Sequence, residues 1–172
     1  MQTSIYKISS QRGFTLIEAL VAFLVLSIGM LGMASLQTMS VKAGSTASQR
    51  SFAVVKVEEI VEHIRSNRAA IADYVSGTGG VGIDSGCNDF GGLPHSCNPT
   101  ELAQYDVYQW KQALAEGGPS TQGSIVVNPP AVPNGLSSVV ITVTWQELSA
   151  VAQAMENMSY SETIDICGAE TC

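Results

Sequence analysis

Basic residues are scarce in the second part of the sequence. Of the eight lysines and arginines only Lys111 lies beyond Arg68, against eleven acids, so residues 69–172 carry a formal charge of −10. Nucleic-acid binding needs a basic surface that neutralises phosphates. The composition therefore argues against a nucleic-acid partner, and the five bases between residues 42 and 68 are interpreted as a solvated helix face.

Signatures of catalysis are also absent. The sequence has no HExxH, P-loop or GxSxG motif, and its two histidines, His63 and His95, have no evident catalytic companions. We therefore expect no enzymatic activity and no cofactor.

Proline and cysteine are missing from the first part of the chain. No proline occurs between residues 14 and 72, which favours one long helix. The cysteines, Cys87, Cys97, Cys167 and Cys172, all lie in the polar part, which indicates two disulfides in an oxidising compartment. The local pairs Cys87–Cys97 and Cys167–Cys172 are favoured, and a crossed pairing stays open. A metal site of Cys87, His95 and Cys97 is the disfavoured alternative, because CxxC spacing is lacking.

One apolar run dominates the amino-terminal part. Residues 14–39 contain a single charge, Glu18, and a run of this length can span a bilayer. Lys7 and Arg12 precede it, which predicts a cytoplasmic amino terminus with the remainder outside. No small-residue cleavage site follows the run, so it is expected to stay as an anchor. A carboxylate in such a segment costs on the order of 2–3 kcal/mol in lipid, so Glu18 calls for a functional explanation.

The start of the run has a specific motif. It reads Arg12-Gly13-Phe14-Thr15-Leu16-Ile17-Glu18 and resembles the class III signal of type IV prepilins and pseudopilins. The resemblance implies that a prepilin peptidase cuts between Gly13 and Phe14 on the cytoplasmic side and methylates the new amino group of Phe14.

The resemblance also gives Glu18 a partner, which is the free amino terminus of an adjacent subunit. Phe14 and Glu18 are four residues apart, so they are expected on one face of the helix. The alternative is a glutamate that reaches from the helix end to the lipid headgroups.

The fold that the family implies is α+β and type IV pilin-like. Its long amino-terminal helix, membrane-spanning in the first half and amphipathic in the second, packs on a small antiparallel sheet. We expect this helix to extend to about residue 72, with an apolar stripe that includes Val54, Val57, Val61, Ile64 and Ile71. The expected segments are a leader (1–13), a transmembrane and polymerisation helix (14–40), an amphipathic helix (41–75) and a periplasmic globular domain (76–172).

Further elements follow from local patterns. Residues 76–99 are expected to form a loop closed by a disulfide. Asn98, Pro99 and Glu101 predict a helix start, and the helix should end before residues 117–118, with Trp110 as a core anchor. Strands are predicted at residues 124–127, 138–145 and 161–167. Residues 147–158 are ambiguous between a helical turn and an extended connection.

Within the family, residues 27–34, the helix with Trp110 and the strand ending at Trp145 resemble a group of low-abundance minor pilins that help to start pilus assembly. The implied partners are the prepilin peptidase, the major pilin, other minor pilins, a pilus-tip adhesin and the inner-membrane assembly platform. The runner-up is a minor pseudopilin of a type II secretion system. The implied location is the inner membrane, with the globular domain in the periplasm, and then the pilus.

Overall fold

The computed structural model describes residues 13–87, 96–118, 120–131, 135–149 and 154–167. Two compact units are distinguished, Met1–Gly44 and Ser45–Cys172. Helix α1, Leu16–Ser66, contributes residues 16–44 to the first unit and residues 45–66 to the second.

The regular helix ends earlier than the sequence predicts. After Ser66 the chain leaves helical geometry at Asn67 (φ −122°, ψ 53°) and continues as a 3-10 helix, Arg68–Tyr74. The physical reason lies in tertiary contacts, because the Asn67 side chain donates to the carbonyl of Pro99 at 2.7 Å. The expected extension to residue 72 was therefore wrong for the α-helix.

Helix α2, Pro99–Glu116, has the bounds that its sequence predicts. Asn98 Oδ1 accepts a hydrogen bond from the Glu101 amide at 2.9 Å, and Glu101 Oε2 accepts one from the Asn98 amide at 2.9 Å. This reciprocal capping box satisfies two amides that the helix itself cannot pair. The helix ends at Gly117, whose amide donates to the Leu114 carbonyl.

A three-stranded antiparallel sheet completes the second unit. The strands are β1 (Gln122–Asn128), β2 (Ser137–Leu148) and β3 (Met155–Ile166), in the order β1-β2-β3. All three are longer than predicted from sequence, although β3 ends at Ile166, one residue before its predicted end. The ambiguous residues 147–158 include the end of β2 and the start of β3, so the helical alternative was wrong for the part of this stretch that the structure describes.

The core lies between the sheet and the helices of the second unit. The residues of α1 that it buries are Ala53, Val57, Ile60, Val61 and Ile64. Val54, which the predicted stripe included, is instead 37% exposed. Trp110 is buried as predicted, and its indole nitrogen donates to the Lys56 carbonyl at 2.7 Å, which joins α2 to α1. The second part of a long helix packed with a small antiparallel sheet is the arrangement expected of a type IV pilin fold.

Candidate functional site

The amino-terminal junction lies just before α1. Residues 13–15 are not helical, and the Thr15 carbonyl accepts hydrogen bonds from the amides of Glu18 (3.1 Å) and Ala19 (3.2 Å). Thr15 is therefore the residue that caps the helix, and Glu18 is the third helical residue. A Cβ placed on Gly13 would meet no atom within 4 Å. The described fold thus gives no steric reason for a glycine at this position.

Glu18 lies in the first turn of α1 with its side chain exposed. A negative charge in the first turn interacts favourably with the helix dipole. The spacing Thr15-x-x-Glu18 is also that of a capping box, in which glutamate or glutamine can serve. Among the described residues no ion pair involves Glu18. Its carboxylate is therefore available to a cation from outside the chain.

Phe14 differs from the expectation in one respect. It precedes the first helical residue by two positions, so it does not share a helix face with Glu18 in the way that a continuous helix would provide. The helix begins only after Thr15, whose backbone carbonyl accepts its first hydrogen bonds. Phe14 is 76% exposed.

The apolar segment that follows is unburied within the chain. Its large apolar side chains are exposed, for example Leu24 at 61% and Leu31 at 72%. The hydroxyls of Ser27 and Thr38 donate to the carbonyls of Phe23 (2.7 Å) and Ser35 (2.8 Å), so these polar groups are satisfied within the helix. Such internal pairing is what a lipid environment demands. By length and composition, α1 is the one helix among the described residues that could cross a membrane.

A buried polar cluster, unrecognised in the sequence, joins α1, α2 and the 3-10 helix. Asp106 is 7% exposed; its Oδ2 accepts a hydrogen bond from the Tyr74 hydroxyl at 2.6 Å, and its Oδ1 lies 3.2 Å from His63 Nδ1. The hydrogen bond to Asp106 raises the pKa of His63 above its ordinary value, against the opposing effect of partial burial. Burial, followed by the bond to Asp106, raises the pKa of Tyr74. The cluster has the character of a structural tie, since its hydrogen bonds join side chains of α1, α2 and the 3-10 helix to one another.

A second polar cluster connects α1 to the sheet. Glu147, 8% exposed, accepts a hydrogen bond from the Trp145 indole at 2.7 Å, and Arg50 lies 3.3 Å from its other oxygen. Arg50 is thus more than part of a solvated face, because it compensates a buried carboxylate.

Lys111, the lone base of the acidic region, is buried at 6% exposure. Its ammonium donates to the carbonyls of Gly77 and Gly79, and burial lowers its pKa. Further along the same loop Gly82, at φ +81°, packs so closely on Tyr108 that a Cβ would lie 2.9 Å from its Cα. The loop is therefore held along α2 by backbone contacts.

The loop is also closed covalently. Cys87 and Cys97 form a disulfide, with their Cα atoms 5.8 Å apart. Both thiols are consumed, so the alternative metal site with Cys87, His95 and Cys97 was wrong; His95 itself lies outside the described residues. Cys167 is also disulfide-bonded, and Cys172 lies outside the described residues. In the described part of the chain no group of three or more potential metal ligands occurs.

Helix α1 is long and apolar enough to cross a membrane, and the second unit contains a three-stranded antiparallel sheet, a combination that fits a type IV pilin. Residues 8–34 match the prokaryotic N-terminal methylation motif, and residues 35–108 match the family described as type IV pilin Tt1218. Together the two matches support a type IV prepilin or pilin family. No curated protein and no solved structure matches the chain.

These matches carry general consequences. Type IV pilins are structural subunits rather than enzymes. The methylation motif implies processing by a prepilin peptidase and assembly with other pilins, and the apolar helix fits membrane anchoring with pilus assembly.

Proposed function

We propose that the chain is a minor pilin that helps to initiate type IV pilus assembly and is incorporated at or near the pilus tip. The observation that carries the proposal is Glu18, an exposed carboxylate without an ion-pair partner in the described chain, at the start of a helix that is otherwise apolar. In lipid such a charge needs compensation. Cleavage between Gly13 and Phe14 creates an amine that supplies it from a neighbouring subunit.

Gly13 supports the processing step. Since no atom of the described fold crowds this position, the glycine is better explained by the active site of a peptidase that must approach the backbone closely. Phe14 then becomes the first residue of the mature chain and carries the N-methyl group. The exposed apolar surface of residues 14–40 stays in the inner membrane until neighbouring helices cover it.

The minor role rests on a narrower resemblance. Residues 27–34, the Trp110 helix and the strand that ends at Trp145 are most like the minor pilins called type IV pilus modification protein PilV. In this proposal the partners are the major pilin, other minor pilins, a tip adhesin and the assembly platform. The globular part, residues 76–172, lies in the periplasm before assembly. A minor pseudopilin of a type II secretion system is the alternative.

Intact-mass analysis of the membrane form tests the processing. We expect the loss of thirteen residues and the gain of one methyl group, and the full-length mass in cells that lack the prepilin peptidase. A full-length, unmethylated chain in wild-type cells would refute a pilin. Quantification in sheared pili tests the role: a small fraction relative to the major pilin is expected, whereas recovery only with the secretion machinery would favour the pseudopilin.

A further inference from the structure

Strand β3 forms one edge of the sheet. It pairs with β2 over its whole length, from Leu148 opposite Met155 to Ser137 opposite Ile166, in one unbroken register. At the other edge, Ser76 exchanges hydrogen bonds with Ile125 of β1 at 2.9 and 2.8 Å. Within the described ranges no segment pairs with the outer side of β3.

The β3 edge lacks most of the features that prevent pairing with another chain. Natural edge strands are protected by shortness, bulges, lysine, proline or charges that point inward, and of these β3 has only acidic charges, one of them, Glu162, on the core-facing side. The twelve residues of Met155–Ile166 include no lysine, arginine, proline or glycine, and the register has no bulge. Every second residue of such an edge presents its amide and carbonyl outward. The edge is therefore competent to accept one more strand.

Its charge restricts what that strand can be. Glu156, Glu162 and Asp165 are the charged residues of β3, and all are acidic. Glu162 lies opposite Ile141, on the core-facing side of the sheet. One of its oxygens, Oε2, is shielded from solvent and has no hydrogen-bond partner among the described residues. A shielded carboxylate oxygen without a donor is costly.

The surroundings of Glu162 add negative charge. Partial burial, followed by the charges of Glu162 and of Glu58 on α1 and by a side-chain hydrogen bond with Glu162, raises the pKa of Tyr160. The carboxylates of Glu162 and Glu58 thus both act on Tyr160, on the core-facing side of β3. The described salt bridges include neither Glu58 nor Glu162.

We propose that the open edge of β3 is a docking site for an extended segment of another protein that carries lysine or arginine at alternate positions. The segment adds a fourth strand through backbone hydrogen bonds, as in β-augmentation. One of its cations lies on the core-facing side and gives Glu162 Oε2 the donor that it lacks. This inference stands on the sheet alone and does not depend on the proposed pilin role.

A second copy of the chain fits this edge less well. Two β3 edges would bring together strands that both carry three acids and no base, and like charges across an interface oppose association. A basic strand has the complementary charge, which is why we assign it as the occupant.

The test uses the full chain in detergent micelles. The probe is a nine-residue synthetic peptide of alternating lysine and threonine or valine, and its matched control carries glutamate in place of lysine. Binding is followed by fluorescence anisotropy, and the site by hydrogen exchange of the β3 amides. We expect binding of the lysine peptide alone, with added protection confined to residues 155–166.

Two further comparisons separate strand pairing from simple charge attraction. Peptides N-methylated at alternate amides are made in both phases; the phase whose methyl groups face the edge should lose at least about tenfold in affinity, since each lost hydrogen bond contributes about 1 kcal/mol. Glu162→Gln should weaken binding about three- to tenfold. Glu116→Gln, at an exposed acid at the end of α2, serves as the control and should have no effect.

Several results would overturn the proposal. Equal affinity of the two methylated phases would show charge attraction without strand pairing. Equal binding of the glutamate peptide would exclude a cationic occupant. Protection outside β3 would exclude this strand as the binding site. Concentration-dependent protection of β3 without any peptide would identify a second copy as the occupant instead.

Discussion

Gly123 on β1 lies directly against the indole of Trp110 on α2, so that a Cβ at this glycine would come within 2.3 Å of Trp110 Cη2. The same Cβ would be 2.5 Å from Leu114 Cδ1. The side chains that the helix buries can reach the sheet only because β1 has no side chain here. One glycine thus sets the distance between helix and strand.

Gly123→Ala should therefore destabilise the second unit by overpacking, by about 1–3 kcal/mol. Chemical denaturation of the full chain in micelles, followed by Trp fluorescence, measures the loss. Gly79→Ala is the matched control, because a Cβ there meets nothing within 4 Å and its φ is not positive. Equal stabilities of the two variants would contradict the role assigned to Gly123.

The contact between His63 and Asp106 predicts a pH dependence of stability. Because folding raises the pKa of His63 above 6.5, the folded state favours the protonated ring. Its stabilising contribution is complete below about pH 6.5 and is lost as the pH rises through the folded-state pKa. The free energies of unfolding of the wild type and of His63→Gln are measured at pH 5.5 and at pH 8.5. The wild type should exceed the variant by more at pH 5.5 than at pH 8.5. A difference independent of pH would exclude a charged His63–Asp106 pair.

Lys111 provides a test of the loop along α2. Lys111→Met keeps much of the aliphatic stem but leaves the carbonyls of Gly77 and Gly79 without their donor, which should cost about 1–3 kcal/mol. Hydrogen exchange within residues 76–87 should accelerate selectively. Lys56→Met, which removes a surface ion pair with Glu59, should cost less than about 1 kcal/mol. Equal hydrogen-exchange protection of residues 76–87 in the two lysine variants would show that the Lys111 ammonium does not hold the loop.

Local signals in the sequence predicted local structure well. The start of α2 followed from Asn98, Pro99 and Glu101 because a capping box needs only four consecutive residues. The polar ties were missed because their members are far apart in sequence; Arg50 and Glu147, for example, are separated by 97 positions. Lys111 was missed since lysines are rarely buried.

The first half of β3 was not predicted as a strand, and most of it was left ambiguous, for a different reason. Glu156, Asn157 and Ser159 have low strand propensity, and this stretch becomes a strand because β2 offers it a partner. At the amino-terminal junction the sequence predicted the function but not the local structure. The motif from Arg12 to Glu18 indicated processing and pairing, but it did not reveal that Thr15 caps the helix and leaves Phe14 outside it.

The spacing of Thr15 and Glu18 sharpens the test of the pairing role of Glu18. Glutamine can replace glutamate at the third helical position of a capping box, so Glu18→Gln removes the charge and keeps a side chain able to cap, whereas Glu18→Ala removes both. If the charge pairs with the amine of a neighbouring subunit, the two variants should be processed normally and should be depleted from sheared pili to a similar extent. About 2–3 kcal/mol of charge compensation corresponds to a loss of roughly thirty- to a hundred-and-fiftyfold in incorporation. Intact mass confirms processing, and quantitative immunoblotting of sheared and membrane fractions measures incorporation. Normal incorporation of Glu18→Gln beside failure of Glu18→Ala would assign Glu18 to the helix cap alone and would refute the intersubunit pair.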